Sequence, residues 1–183
     1  MFQSKTFAET TAGAFRACQF ENSYNCCAHR DTTAQEILDQ TGGRLDVFIA
    51  GIGTGGTITG TGRVLKARVP GLKVIAAEPD KASLMVDLPF GFHAQEGIGD
   101  GVLPDILDKS IIDRAILVSD PQAIEVARRL AREEGIFCGV SSGTNVFAAL
   151  QVAKELGEGK RVVTLIPDGG EKYLSTALFG EIQ

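Results

Sequence analysis

No stretch of the 183 residues approaches the roughly 18 to 20 consecutive apolar positions that a membrane-spanning helix needs, and the first fifteen residues contain no apolar core of a secretory leader. The expected compartment is therefore the cytosol. Basic residues are in the minority, with 18 Lys and Arg against 23 Asp and Glu and a formal charge of −5, which argues against a surface built to neutralise nucleic-acid phosphates. The four cysteines, Cys18, Cys26, Cys27 and Cys138, form no CxxC pair, and the adjacent Cys26 and Cys27 cannot easily ligate one metal. They read as free, reduced thiols, and no metal site is expected. The two histidines, His29 and His93, stand at no spacing from a Ser or Cys and an acid that suggests a hydrolase triad, and both read as structural or surface residues. Internal repeats and low-complexity tracts are also missing.

What remains is a chain with 44% hydrophobic and 22% charged residues, long enough to bury a core and within the size of one domain. From Thr32 onward, apolar runs of strand length alternate with amphipathic segments of helix length. That is the pattern of an α/β fold, a parallel sheet with crossover helices in three layers. Strands are expected at 46–50, 73–77, 115–118, 137–140 and 161–166. Thr33 and Glu36 have the spacing of a capping box for a helix through Gln40, closed by Gly42 and Gly43. Further helices are expected at about 57–68, from Pro121 with a face of Ile124, Ala127 and Leu130 or Ala131, from a turn at 141–143 to Leu156, and at 171–179. Residues 81–110 are rich in Gly, Pro and Asp and read as a long surface excursion. The first 18 residues carry the weakest pattern, and no fixed structure is expected there.

The most informative segment is Gly51–Thr57, GIGTGGT, placed between a strand and a helix. Backbone N–H groups at such a junction converge at the positive end of the helix dipole and make an anion site. The glycines permit close backbone approach, and Thr54 and Thr57 can add hydroxyl donors to a phosphate. The same residues satisfy a dinucleotide fingerprint, with Gly51, Gly53 and Gly56 spaced as GxGxxG and Glu78 closing the next strand about 20 residues on. An NAD-binding protein is thus the competing reading. Two threonines suit a single phosphomonoester better than a pyrophosphate, and no second mononucleotide half follows.

The string DVFIAGIGTGGTITGTGR at Asp46–Arg63 resembles the phosphate-binding segment of the cysteine synthases (O-acetylserine sulfhydrylases) and the related cystathionine β-synthases. GIGDGVLPDILD at Gly97–Asp108, GVSSGTN at Gly139–Asn145 and PDGGEKYLSTALF at Pro167–Phe179 follow in that family's order and spacing, and QFEN at Gln19–Asn22, with Asn25, His29 and Thr33, is similar as well. The resemblance implies the large-domain part of the fold type II (tryptophan synthase β-like) architecture, over residues 19–183, with pyridoxal phosphate (PLP) as cofactor. It further implies β-replacement on O-acetylserine by sulfide to give cysteine. By matching position, Gly53, Thr54, Gly55, Gly56 and Thr57 cradle the cofactor phosphate, and Ser141 hydrogen-bonds the pyridine nitrogen. Gln19 and Gly97 would lie near the substrate. A neutral hydroxyl at the ring nitrogen makes the ring a milder electron sink than a carboxylate would, which suits β-elimination. An ordinary helix cap is the alternative role for Ser141 and Ser142.

The family's Schiff-base lysine and its substrate-carboxylate loop lie well upstream of QFEN, where this chain has 18 residues. Lys5 follows Ser4 but matches neither flank nor spacing, and Lys66, Lys73 and Lys172 are expected on helix or strand surfaces. No catalytic residue is therefore assigned, and the chain alone is expected to be inactive, with apolar surface exposed where the absent part of the fold would lie. Ser23, Tyr24, Cys26 and Cys27 depart from a Pro-bearing stretch of the family. Asp100 stands where small residues are common, either tuning substrate choice or simply solvated. The resemblance also implies a homodimer and, as partner, serine acetyltransferase, whose carboxyl-terminal tail enters the family's active site. A catalytically dead module binding that partner is a further alternative.

Overall fold

The computed structural model describes residues 2–180. Its centre is a four-stranded, wholly parallel sheet of β1 (Val47–Gly51), β2 (Lys73–Pro79), β3 (Arg114–Val118) and β4 (Val162–Thr164), in the order β3-β2-β1-β4. Side chains of a strand alternate between its two faces, and β1 and β2 are apolar on both, so each face has to be covered. Phe48, Ala50, Val74 and Ala76 pack with Ile37 of α3 (Thr33–Thr41) and with Ile58 and Leu65 of α4 (Gly56–Arg68). Val47, Ile49, Ile75 and Ala77 pack with Ala123 and Ala127 of α5 (Asp120–Glu134) and with Ala148 and Val152 of α6 (Val140–Leu156). The result is the three-layer α/β arrangement.

Chain direction across the sheet positions the site. From β1 the chain steps through α4 to β2 and then β3 on one side, whereas β4 pairs with β1 on the other. The carboxyl ends of β1 and β4 therefore flank a topological switch point, where connections diverge and leave a crevice.

Several local expectations are corrected. Residues 137–140 form no strand: Gly139 is already the N-cap of α6, and the segment keeps a single antiparallel bridge from Cys138 to Gly169. Ser141, Ser142 and Gly143 accordingly lie within the first turn of α6 and not in a turn before it. The segment 171–179 is not a helix beyond a 3-10 turn at Gly170–Tyr173, because the Thr176 hydroxyl donates to the Tyr173 carbonyl and Arg128 takes the carbonyls of Ala177 and Leu178. The Thr33–Glu36 capping box does not form, since α2 (Tyr24–Asp31) runs almost directly into α3 and Thr32 occupies the cap position. Residues 2–10, where the sequence has no periodic signal, form helix α1, whose Phe7 stays exposed. Of the excursion expected at 81–110, residues 81–108 have no helix or strand and Lys109 and Ser110 enter a 3-10 turn (Lys109–Ile111); it is anchored at its start by buried Glu78, which accepts from the Ser83 hydroxyl and the Leu84 amide.

Candidate active site

A cavity of about 730 Å³ opens at the switch point, a volume suited to a small organic ligand. One wall is the turn between β1 and α4. The Thr59 amide bonds to the Gly55 carbonyl and the Gly56 amide to the Thr54 hydroxyl at 3.3 Å, so the amides of Thr57 and Ile58 are the ones of α4's opening with no intrahelical acceptor. Gly55 has φ of +80°, a backbone that disfavours any side chain, and a Cβ on Gly53 would run into the Gly97 carbonyl oxygen. Gly53, Thr54, Gly55 and Thr57 line the cavity, and so does Gly97. Gly56 does not; it is turned against Asn25 of α2.

Helix α2 lies directly on α4 because Gly56 and Gly60 present no side chain: a Cβ on either would strike Asn25 or the Cys26 carbonyl. This close approach delivers two residues to the cradle. Asn25 Nδ2 donates to the Thr54 hydroxyl at 2.9 Å and to the Gln19 carbonyl at 3.0 Å. His29 Nε2 lies 3.1 Å from the Thr57 hydroxyl, and its Nδ1 lies 2.9 Å from that of Thr33. Burial holds the His29 pKa below the ordinary 6.5, which favours the neutral ring. His29 is therefore part of the cavity wall and not merely a structural or surface residue. The helical spacing of Asn25 and His29, matched by that of Gly56 and Gly60, is the signal that could have revealed the pair.

On the opposite side Ser141, the second residue of α6, lines the cavity and is 5% exposed. It is inside the helix and not at its cap. Asn145, one turn further, donates to the Leu165 carbonyl at 3.0 Å, while its buried Oδ1 has no partner. The rim comprises Ile166, Pro167, Asp168, Lys172 and Tyr173. Asp168 Oδ2 accepts from the Tyr173 hydroxyl at 2.8 Å and pairs with Lys172 at 2.9 Å, and Asp168 Oδ1 is buried without a partner. Burial, with Asp168 second, pushes the Tyr173 phenol up. Lys172 lies on the exposed face of the 3-10 turn, as a surface position, and also borders the cavity rim. Its bond to Asp168 and that carboxylate's charge keep it protonated, which makes it a poor nucleophile.

Two sequence-predicted residues fall outside this constellation. The Gln19 side chain is exposed and away from the cavity lining, and the residue meets the site only through its carbonyl. Asp100 is also exposed and does not line the cavity. The dinucleotide reading fails at Glu78, whose carboxylate is 1% exposed and already engaged by Ser83 and Leu84, leaving nothing to offer a ribose. The residues present fit pyridoxal phosphate: helix-opening amides at Thr57 and Ile58 without an intrahelical acceptor and the hydroxyls of Thr54 and Thr57 for its phosphate, space that a Cβ would fill, and a hydroxyl at the other end of the same cavity.

Comparison with known proteins agrees. The family model described as "pyridoxal-phosphate dependent enzyme" matches residues 3–168. A cysteine synthase of Staphylococcus aureus is 46% identical over 168 residues, covering 91% of this chain and 54% of that protein. The crystal structure of an O-ureido-L-serine synthase superposes with a TM-score of 0.94 at 41% identity, over 100% of this chain and 58% of that one. The O-acetylserine dependent cystathionine β-synthase of Helicobacter pylori gives 0.91 at 38% identity, over 98% and 58%. The chain spans about half the length of the curated relatives it matches. With the α/β architecture of the fold type II enzymes and an anion cradle at the end of β1, this chain belongs to the pyridoxal-phosphate dependent enzyme family.

Proposed function

We propose that the chain provides the phosphate- and ring-binding half of a cysteine synthase-type site, acting in β-replacement on O-acetylserine with sulfide. The observation that carries this reading is the pairing, across one cavity, of the Gly53–Thr57 cradle with the Ser141 hydroxyl. Pyridoxal phosphate, when bound there, supplies an electron sink for bond-breaking at the substrate's α- and β-carbons. The chain's own residues hold it: the amides of Gly55 and Thr57 and the hydroxyls of Thr54 and Thr57 bind the phosphate, and Ser141 orients the ring nitrogen without placing a negative charge beside it.

Among the described residues, no lysine with a free, neutral amine lines the cavity, so the covalent role of an amine falls outside this set and the chain alone turns over no O-acetylserine. A small amino-acid substrate and the tail of a serine acetyltransferase would each engage the same mouth, and the assembly would be a homodimer. The test is titration with pyridoxal phosphate followed by borohydride reduction and peptide mapping. Saturable binding that weakens more than about tenfold for pyridoxal, without stoichiometric lysine adduct, is expected. A stoichiometric adduct at Lys172, or preference for a nicotinamide dinucleotide, would overturn the reading.

A further inference from the structure

Thr57 can serve an anion only if its single hydroxyl proton points into the cavity, and the residue that decides this is His29. Two neutral arrangements satisfy the contacts at 3.1 and 2.9 Å. In one, Nδ1–H donates to Thr33, Nε2 accepts the Thr57 proton, and the hydroxyl is turned away from the cavity. In the other, the Thr33 hydroxyl donates to Nδ1, Nε2–H donates to Thr57, and the Thr57 proton is released toward the cradle. A phosphate dianion offers only acceptors and is served by the second alone. The two differ by transfer of one proton between ring nitrogens and rotation of two hydroxyls, with no net charge change.

We propose that His29 is the positioning residue of the cradle: with Nε2 protonated and Nδ1 accepting from Thr33, it aims the Thr57 hydroxyl at the bound phosphate. The inference rests on the cradle reading above. It has a counterpart one turn earlier on α2, where Asn25 has no such ambiguity, because its Nδ2 can only donate, and so it leaves the Thr54 proton free. Charged groups sharing the cavity with His29 are Glu36 from α3, Glu96 from the excursion, and the distant Asp168 and Lys172 pair. His29 forms no ion pair among the described residues, so hydrogen bonding and not charge sets its tautomer. Thr33 becomes the second positioning residue, acting through the ring.

The experiment is nitrogen-15 NMR of the histidine-labelled full chain at pH 8, free and saturated with pyridoxal phosphate, with His29→Leu identifying the resonances. A pyrrole-type His29 Nε2 and a pyridine-type Nδ1 in the saturated chain are expected. Saturable binding with Nε2 remaining pyridine-type would overturn the proposal while leaving the cradle intact. A failure of the wild-type chain to bind at all would instead remove the cradle reading and the proposal with it. Affinity for pyridoxal phosphate should fall about fivefold in His29→Leu and return to within about twofold in His29→Gln, whose amide can donate to Thr57. Equal loss in both variants, at unchanged melting temperature, would also count against it.

Discussion

At the phosphate end of the cavity the hydroxyls of Thr54 and Thr57 both have partners on α2, whereas at the opposite end the buried Oδ1 atoms of Asn145 and Asp168 have none. The first end is closed by a helix crossing made possible by Gly56 and Gly60. The second is bordered by β4, which pairs with β1 on one side only, and by Ile166, which is 42% exposed. Buried polar groups without partners are costly, so they mark places where a ligand or further polypeptide brings the missing donor. Among the described residues, then, the hydroxyls at one end of the cavity are partnered within the chain, while two buried oxygens at the other end await a donor.

The severest way to break the partnered end is Gly53→Ala. Its methyl group would be forced into the Gly97 carbonyl, with a cost of about 1–3 kcal/mol from overpacking. A lowered melting temperature together with a loss of at least about tenfold in pyridoxal phosphate affinity should appear in calorimetry and titration.

Asp168→Ala sharpens the contrast from the other side. It strands the buried Tyr173 hydroxyl and removes the Lys172 partner, costing about 1–3 kcal/mol in urea denaturation, while affinity for inorganic sulfate at the cradle stays unchanged. Loss of sulfate binding in this variant would show that the two ends are not independent.

The smallest effect is one of pH. Burial lowers the folded-state His29 pKa below the unfolded value near 6.5, so the unfolded chain binds a proton first. The stability contributed by the neutral ring is whole above pH 6.5 and drains away as pH falls through the folded-state value. Melting curves from pH 8 to 5 should fall less steeply for His29→Gln than for the wild type.

The sequence by itself determined the layer architecture and the cradle, because strand and helix periods and a glycine-threonine turn are local features: each follows from side chains within a few residues. It placed Gly53, Thr54, Gly55, Thr57, Gly97 and Ser141 around what became one cavity. Only the tertiary structure decided that Gly56 faces Asn25, that His29 reaches Thr57, that Lys172 sits at the rim paired with Asp168, and that Gln19 and Asp100 stand outside. The contacts of Asn25 with the glycine turn and of His29 with Thr57 join segments some 28 to 31 residues apart and depend on how closely two helices can approach, whereas the Lys172–Asp168 pair is local and only its place at the rim is tertiary. Residues 137–140 and 171–179 depart from their local pattern through the same competition: their apolar patterns suit a strand and a helix, but the carbonyls and amides that such elements need are taken by Asp168, Thr176 and Arg128. Local pattern sets what a segment can form; competition for its hydrogen bonds, settled across the fold, sets what it does form.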